Sequence, residues 1–111
     1  MEVKDFAEIA RHRLNVCRDM IIQDEYDGWA CDGDRLHNFK ILGVLRNEMP
    51  EKALWSLANR YFTSILEIIN DLEVPDNKPN IGQLEGKITH LISYLIVLEA
   101  LFKEREGGGK R

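Results

Sequence analysis

Carboxylates are the residues through which this chain could do chemistry. Asp24, Glu25 and Asp27 follow the first helical pattern and Asp32 and Asp34 precede the second. Glu67 and Asp71 stand four apart on one face of the third, and Glu85 lies early in the fourth. Hard oxygen ligands drawn from several helices are what a magnesium ion takes, together with water and substrate phosphates. The same acids serve equally as helix caps and solvated faces. Beside them Arg35, Asn38 and Lys40 gather at the start of the second helix. A helix N-terminus with such side chains suits a phosphate, although a capped surface helix has the same composition. Arg60, within an otherwise apolar helix, fits a bound anion, a carboxylate such as Glu25 or Glu85, or solvent reached past a packed stem.

Other chemistries find no motif. The chain has no glycine-rich phosphate loop, no nucleophile elbow and no His-Glu-x-x-His pattern. His12, His37 and His90 fall on different helical segments, so a zinc site is unsupported. Cys17 and Cys31 lack metal spacing and read as free thiols in a reducing compartment, Cys17 on a core face.

Four helices must position these groups. Val3, Phe6, Ala7, Ala10, Leu14, Cys17 and Ile21 recur every three or four residues, which predicts an amphipathic helix over 3–23. Residues 24–34, with four Asp, two Gly, Tyr26 and Trp29, predict an acidic-aromatic loop. A short helix follows over 34–45, capped by Asp34 and burying Leu36, Phe39 and Leu42 or Gly43. The third, over 50–72, opens with Pro50 in its first turn. It carries Leu54, Leu57, Ala58, Tyr61, Ile65, Ile68, Ile69 and Leu72, with Trp55, Phe62 and Leu66 widening the stripe. After a Pro- and Asn-rich loop over 73–80, the fourth spans 81–104. Its expected core is Ile81, Leu84, Ile88, Leu91, Ile92, Leu95, Leu98 and Phe102, with Ile96, Val97 and Leu101 off the stripe. The expectation is an all-α bundle of three long helices and one short one, a single domain over 1–105 with a flexible tail over 106–111.

Composition agrees with a globular domain. The 111 residues are 44% apolar and 31% charged, enough for one core, and the net charge of −4 argues against holding nucleic acid by bulk charge. No run of 18 apolar residues exists, and charges occupy the N-terminus where a signal peptide would need an apolar segment. Neither a membrane partner nor a nucleic acid is expected.

The series Asp24-Glu25-Tyr26, Asp34-Arg35-Leu36-His37-Asn38-Phe39-Lys40 and Pro50-Glu51-Lys52-Ala53-Leu54-Trp55 resembles a family of small phage-encoded helical proteins. So does the closing stretch Lys87-Ile88-Thr89-His90-Leu91-Ile92-Ser93-Tyr94-Leu95 with its Leu-rich end, so that the likeness covers about residues 14–102. That family is similar to the MazG-like all-α nucleotide pyrophosphohydrolases, which cleave nucleoside triphosphates with Mg²⁺ held by helical Glu and Asp. The resemblance implies a MazG-like fold, a cytoplasmic setting in an infected bacterial host, and an oligomer. It implies metal ligands Glu25 and Asp34, with Glu67, Asp71 or Glu85, and a phosphate contact from Arg35, Asn38, Lys40 or Arg60. Two positions depart from the pattern: His90 replaces an Asp, and Asn59-Arg60 stands where Lys-His is usual. An imidazole is a poorer magnesium ligand than a carboxylate, so weakened or lost hydrolysis is expected.

Two functions are therefore in view. One is a nucleotide-handling protein that binds or hydrolyses a triphosphate with Mg²⁺. The other is a non-catalytic protein that acts on a host factor or sequesters a nucleotide through loop 24–34. The width of the apolar surface on the third and fourth helices further predicts a homodimer packed through them.

Overall fold

The apolar spacing gives four helices in a computed structural model that describes residues 1–22, 34 and 36–107. They are α1 (Val3–Ile22), α2 (His37–Arg46), α3 (Pro50–Asp71) and α4 (Ile81–Gly107), and no strand pairs with another among the described residues. The molecule is all-α. Glu25, Arg35, Cys31 and most of loop 24–34 lie outside the described residues.

Local chemistry fixes the ends. Asn80 accepts the Gln83 N–H through Oδ1 at 3.1 Å and caps α4. Pro50 starts α3 at the position where its missing N–H costs nothing. Asp34 does not cap a helix beginning at residue 34. Its Oδ1 accepts the Leu36 N–H at 3.0 Å, two residues on, and α2 starts only at His37. At the far end α4 runs to Gly107, two residues into the stretch expected as tail.

The α2–α3 corner is the tightest turn. Asn47 sits in the left-handed region (φ 54°), Asn47 N–H donates to Val44 O, and Glu48 N–H donates to Gly43 O at 2.9 Å. This satisfies the carbonyls that end α2 and returns the chain into Pro50. Gly43 is what permits it: a Cβ there would lie 2.9 Å from Glu48 O and 3.0 Å from Pro50 N, both backbone atoms.

Packing centres on an antiparallel α3–α4 hairpin. Glu51, at the start of α3, meets Arg105, near the end of α4, while Tyr61 meets His90 and Tyr94. α2 folds onto α3, and Leu36, Phe39, Leu54, Val97 and Leu101 make the buried cluster among α2, α3 and α4. Among the described helices α1 packs on α4 alone. There Arg13 Nη1 donates to Thr89 Oγ1 (2.6 Å), Nη2 pairs with Glu85 (2.7 Å), and the buried Cys17 thiol reaches Thr89 O (3.7 Å). Thr89 and Ser93 are buried without orphaned hydroxyls because each donates to the carbonyl one turn back, Glu85 O and Thr89 O.

Two expectations about faces are corrected. Val97 and Leu101, placed off the α4 stripe, are core, whereas Leu95, Phe102 and Ile81 are exposed. The line Thr89, Ser93, Val97, Leu101 repeats every four residues, and its small members admit α1 while its large ones meet α2 and α3. The expected α1 stripe is covered only in part: Cys17 is buried, but Val3, Phe6 and Leu14 are exposed. Residue 13 meets 85 and 89, and 17 meets 89. Carried back along both helices, this register leaves the first turns of α1 beyond the start of α4. The result is a long particle of 54 × 32 × 25 Å. Its radius of gyration, 16.8 Å, exceeds the roughly 13 Å of a compact chain this size.

Gly43→Ala forces backbone to move at the corner and should lower unfolding free energy by about 1–3 kcal/mol in urea titration. Asn47→Gly, which suits the left-handed position, should leave the midpoint within about 0.5 kcal/mol of the parent.

Candidate functional site

Aromatic side chains from three helices converge on the hairpin. α4 sets His90 and Tyr94 one turn apart, α3 brings Tyr61 across, and α2 adds Phe39. The Tyr61 and His90 rings stack with centroids 5.3 Å apart and planes 7° from parallel. Tyr94 lies 5.6 Å from Tyr61 and 6.3 Å from His90, and Phe39 meets Tyr94 edge-on at 6.2 Å. Tyr61, His90 and Tyr94 are only partly buried, so the stack is reachable from solvent. His90 Nδ1 is 2.9 Å from Gly86 O. A carbonyl only accepts, so Nδ1 carries the proton and, in the neutral ring, Nε2 keeps a lone pair. Burial pushes the Tyr94 phenol above its ordinary pKa, with Tyr61 adding to the shift. Tyr94 therefore stays a neutral hydroxyl at physiological pH.

The candidate metal and phosphate residues are held differently. Asp34 and Lys40, assigned to opposite roles, pair with each other: Lys40 Nζ is 2.8 Å from Asp34 Oδ2 and 2.7 Å from Glu104 Oε1. Glu85 is paired with Arg13 at 2.7 Å. Glu67, Asp71 and Arg60 are exposed on α3, and Asn38 is exposed on α2. Glu25 and Arg35 are not among the described residues. Among those that are, no three His, Cys, Asp or Glu side chains come together in a way that could hold a metal ion. Asp34, Glu67, Asp71 and Glu85 are therefore not gathered into such a group among the described residues, and Glu25, the remaining expected ligand, lies outside them.

The structure adds two networks that sequence spacing did not point to. Arg105 grips Glu51 through Nε (2.7 Å) and Nη2 (2.9 Å), a two-pronged bond that ties the ends of the hairpin. Arg13 forks to Thr89 and Glu85. Arg13's place beside Ala10 and Cys17 on the stripe is the one signal that could have marked it. The Glu51–Arg105 pair is 54 residues apart in sequence and leaves none.

Compared with protein-family models, curated proteins and solved structures, the chain matches none of them. The arrangement therefore speaks through its own geometry: a partly open aromatic-imidazole stack with ion pairs on other parts of the helices. No described helix is long and apolar enough to cross a membrane.

Two carboxyls make stability depend on acid. The Lys40 hydrogen bond, then the Leu36 N–H, hold Asp34 below its ordinary pKa, and the Arg105 hydrogen bond does the same for Glu51. Their ionised forms stabilise the fold fully above the unfolded carboxyl values, near pH 4, and the contribution is lost as pH falls through the lower folded values. Urea midpoints should therefore drop on acidification below about pH 4. Glu51→Gln should begin less stable at pH 7 and show a shallower fall, whereas a parallel fall would remove Glu51 from this account.

Proposed function

We propose that the protein binds a nucleoside triphosphate without cleaving it, as a MazG-like helical protein of phage type in the cytoplasm of an infected bacterium. The observation that carries this reading is the stack of Tyr61 on His90. It lies where the sequence departs from the family pattern: His90 replaces the Asp, and Asn59-Arg60 directly precede Tyr61. An imidazole there supplies no hard anionic oxygen for Mg²⁺. It does extend a flat aromatic surface and offers Nε2 as an acceptor to a base amino group. Stacking of a base on an aromatic ring contributes about 1–3 kcal/mol, enough for selective but modest affinity. Arg60, exposed one residue before Tyr61, is the cation nearest in sequence for the phosphates.

A second reading, a protein partner such as a host factor, draws support from the acidic net charge and from the uncovered start of α1. There Val3, Phe6 (65% exposed) and Ile9 offer an apolar helical surface.

Calorimetry with ATP and the four dNTPs, with and without Mg²⁺, tests the proposal. The expected result is saturable binding of at least one triphosphate, weakened about 5-fold or more in Tyr61→Ala and His90→Ala, in line with the loss of one stacking contact. No pyrophosphate should be released under the same conditions. Steady pyrophosphate release would overturn the non-catalytic assignment, and absence of binding by every nucleotide would leave the partner reading in its place.

A further inference from the structure

α4 has a helix on either flank, and the space between the flanks is only half filled. α1 meets α4 along Glu85 and Thr89, and α3 meets it along His90, Tyr94 and Arg105. At about 100° per residue the two lines stand roughly 150° apart round the helix. Among the described helices α1 does not pack on α3. Gly82, Gly86, Ser93 and Val97 fall between the lines. α2 covers the Val97 end, where Phe39 meets Tyr94 and Lys40 meets Glu104. Below it, from Ile81 to the Tyr61–His90 stack, the described residues leave a groove. Its floor is open: a Cβ placed on Gly82 or Gly86 would meet nothing within 4 Å among the described residues.

The groove has the dimensions of a helix. Helices packed on α4 stand about 8–10 Å from its axis, so α1 and α3 leave room between them for one more cylinder ~10 Å across. α2 is such a cylinder in the upper part, and the open part from Ile81 to His90 is about 15 Å long. With α1 parallel and α3 antiparallel to α4, Ile9 on α1 (55% exposed) and Ile68 on α3 turn toward the groove as apolar walls. Farther round the same sides stand Asp5 and Glu8 on α1 and Glu67 and Asp71 on α3. All four acids are exposed, and none is ion-paired among the described residues. The edges also carry His12, Arg60 near the stack, and Lys78. At the α3 end a cavity of about 240 Å³ opens beside Ile68, Leu72, Asp71 and Lys78.

We infer that this groove is the docking site of a basic amphipathic helix from a partner protein. The occupant is a helix because α2 already lies as one in the upper part of the same space. Its apolar stripe rests on Gly82 and Gly86 between Ile9 and Ile68, where the missing side chains let a backbone come close. Its Lys and Arg side chains reach out on long stems to the acids of the two edges. Elsewhere in the fold the acids that meet another helix, Glu51, Glu85 and Glu104, already have a base. Unpaired acids on both edges repel the phosphates of nucleic acids and of anionic lipids, which leaves a basic protein segment as the complement. The inference does not rest on nucleotide binding. It rests on the partner reading, to which it gives a site and a chemistry.

Fluorescence polarisation on the full chain tests it with a labelled amphipathic helix of Leu and Lys, about four turns long, and a Leu–Glu helix of the same length as control. The Leu–Lys helix should bind saturably and more weakly as salt rises, and the Leu–Glu helix should not bind. Gly86→Leu fills the floor without touching the packed core, so it should weaken binding about tenfold or more. Its helical circular dichroism and urea midpoint should not fall, since Leu is the better helix former. Asp5→Asn with Asp71→Asn should weaken binding about 5-fold and flatten its salt dependence. Leu95→Ala, on the opposite side of α4, should leave it unchanged. No binding of the Leu–Lys helix at about 100 µM would overturn the inference, as would equal binding of the Leu–Glu helix. Binding that Gly86→Leu leaves intact would also overturn it, while keeping a basic partner that docks elsewhere.

Discussion

α4 is the constraint on which the rest of the structure depends, because it must present a different surface to each neighbour. To α1 it offers Thr89 and Ser93, small enough for close approach and with hydroxyls returned to its own carbonyls. To α2 and α3 it offers Val97, Leu101 and the Tyr94 ring. A helix with one apolar face needs only one neighbour, whereas α4 buries a small-residue patch at Thr89 and Ser93 and a large-residue patch at Leu91, Val97 and Leu101. α2 folds onto α3 as well, whereas among the described helices α1 packs on α4 alone. Where α4 offers no partner, as before Ile81, α1 simply stands uncovered.

The same economy governs charge. The chain has four more acids than bases, yet acids on different helices are held by bases: Glu51 by Arg105, Glu85 by Arg13, Asp34 and Glu104 by Lys40. Such partly exposed pairs contribute modestly each. Their larger effect is on register, because a forked Arg fixes where two helices meet. Carboxylates spent in this way are not available to one another, so the described acids do not pool their charge at one point. Beside the buried apolar cluster, the aromatic stack brings α2, α3 and α4 together without a paired charge, and its chemistry is that of rings and hydroxyls.

The helices were legible in the sequence, because a three-and-four repeat of apolar residues survives any later packing. The ends were legible where a single residue decides them, as at Pro50 and Asn80, and less so at Asp34, whose carboxylate closes a turn instead. The buried faces were harder. Leu95 and Phe102 have the right spacing for a core, yet Val97 and Leu101 take it, since burial is decided by which neighbour arrives and hydrophobicity alone does not distinguish them. The site was least legible. Lys40 reaches a carboxylate six residues before it and another on the far helix, and stacking of Tyr61 on His90 depends on hairpin register. Neither leaves a pattern in the spacing.

Cys17 gives the docking of α1 a chemical reporter. Its thiol is 1% exposed and faces Thr89 O, so a thiol reagent reaches it only when α1 has lifted from α4. α1 is held by few side chains and by one helix, and such an element opens at lower free energy than the hairpin beneath it. The rate at which this sulfur reacts is therefore a clock for the detachment of one helix, running while the rest of the molecule stays folded.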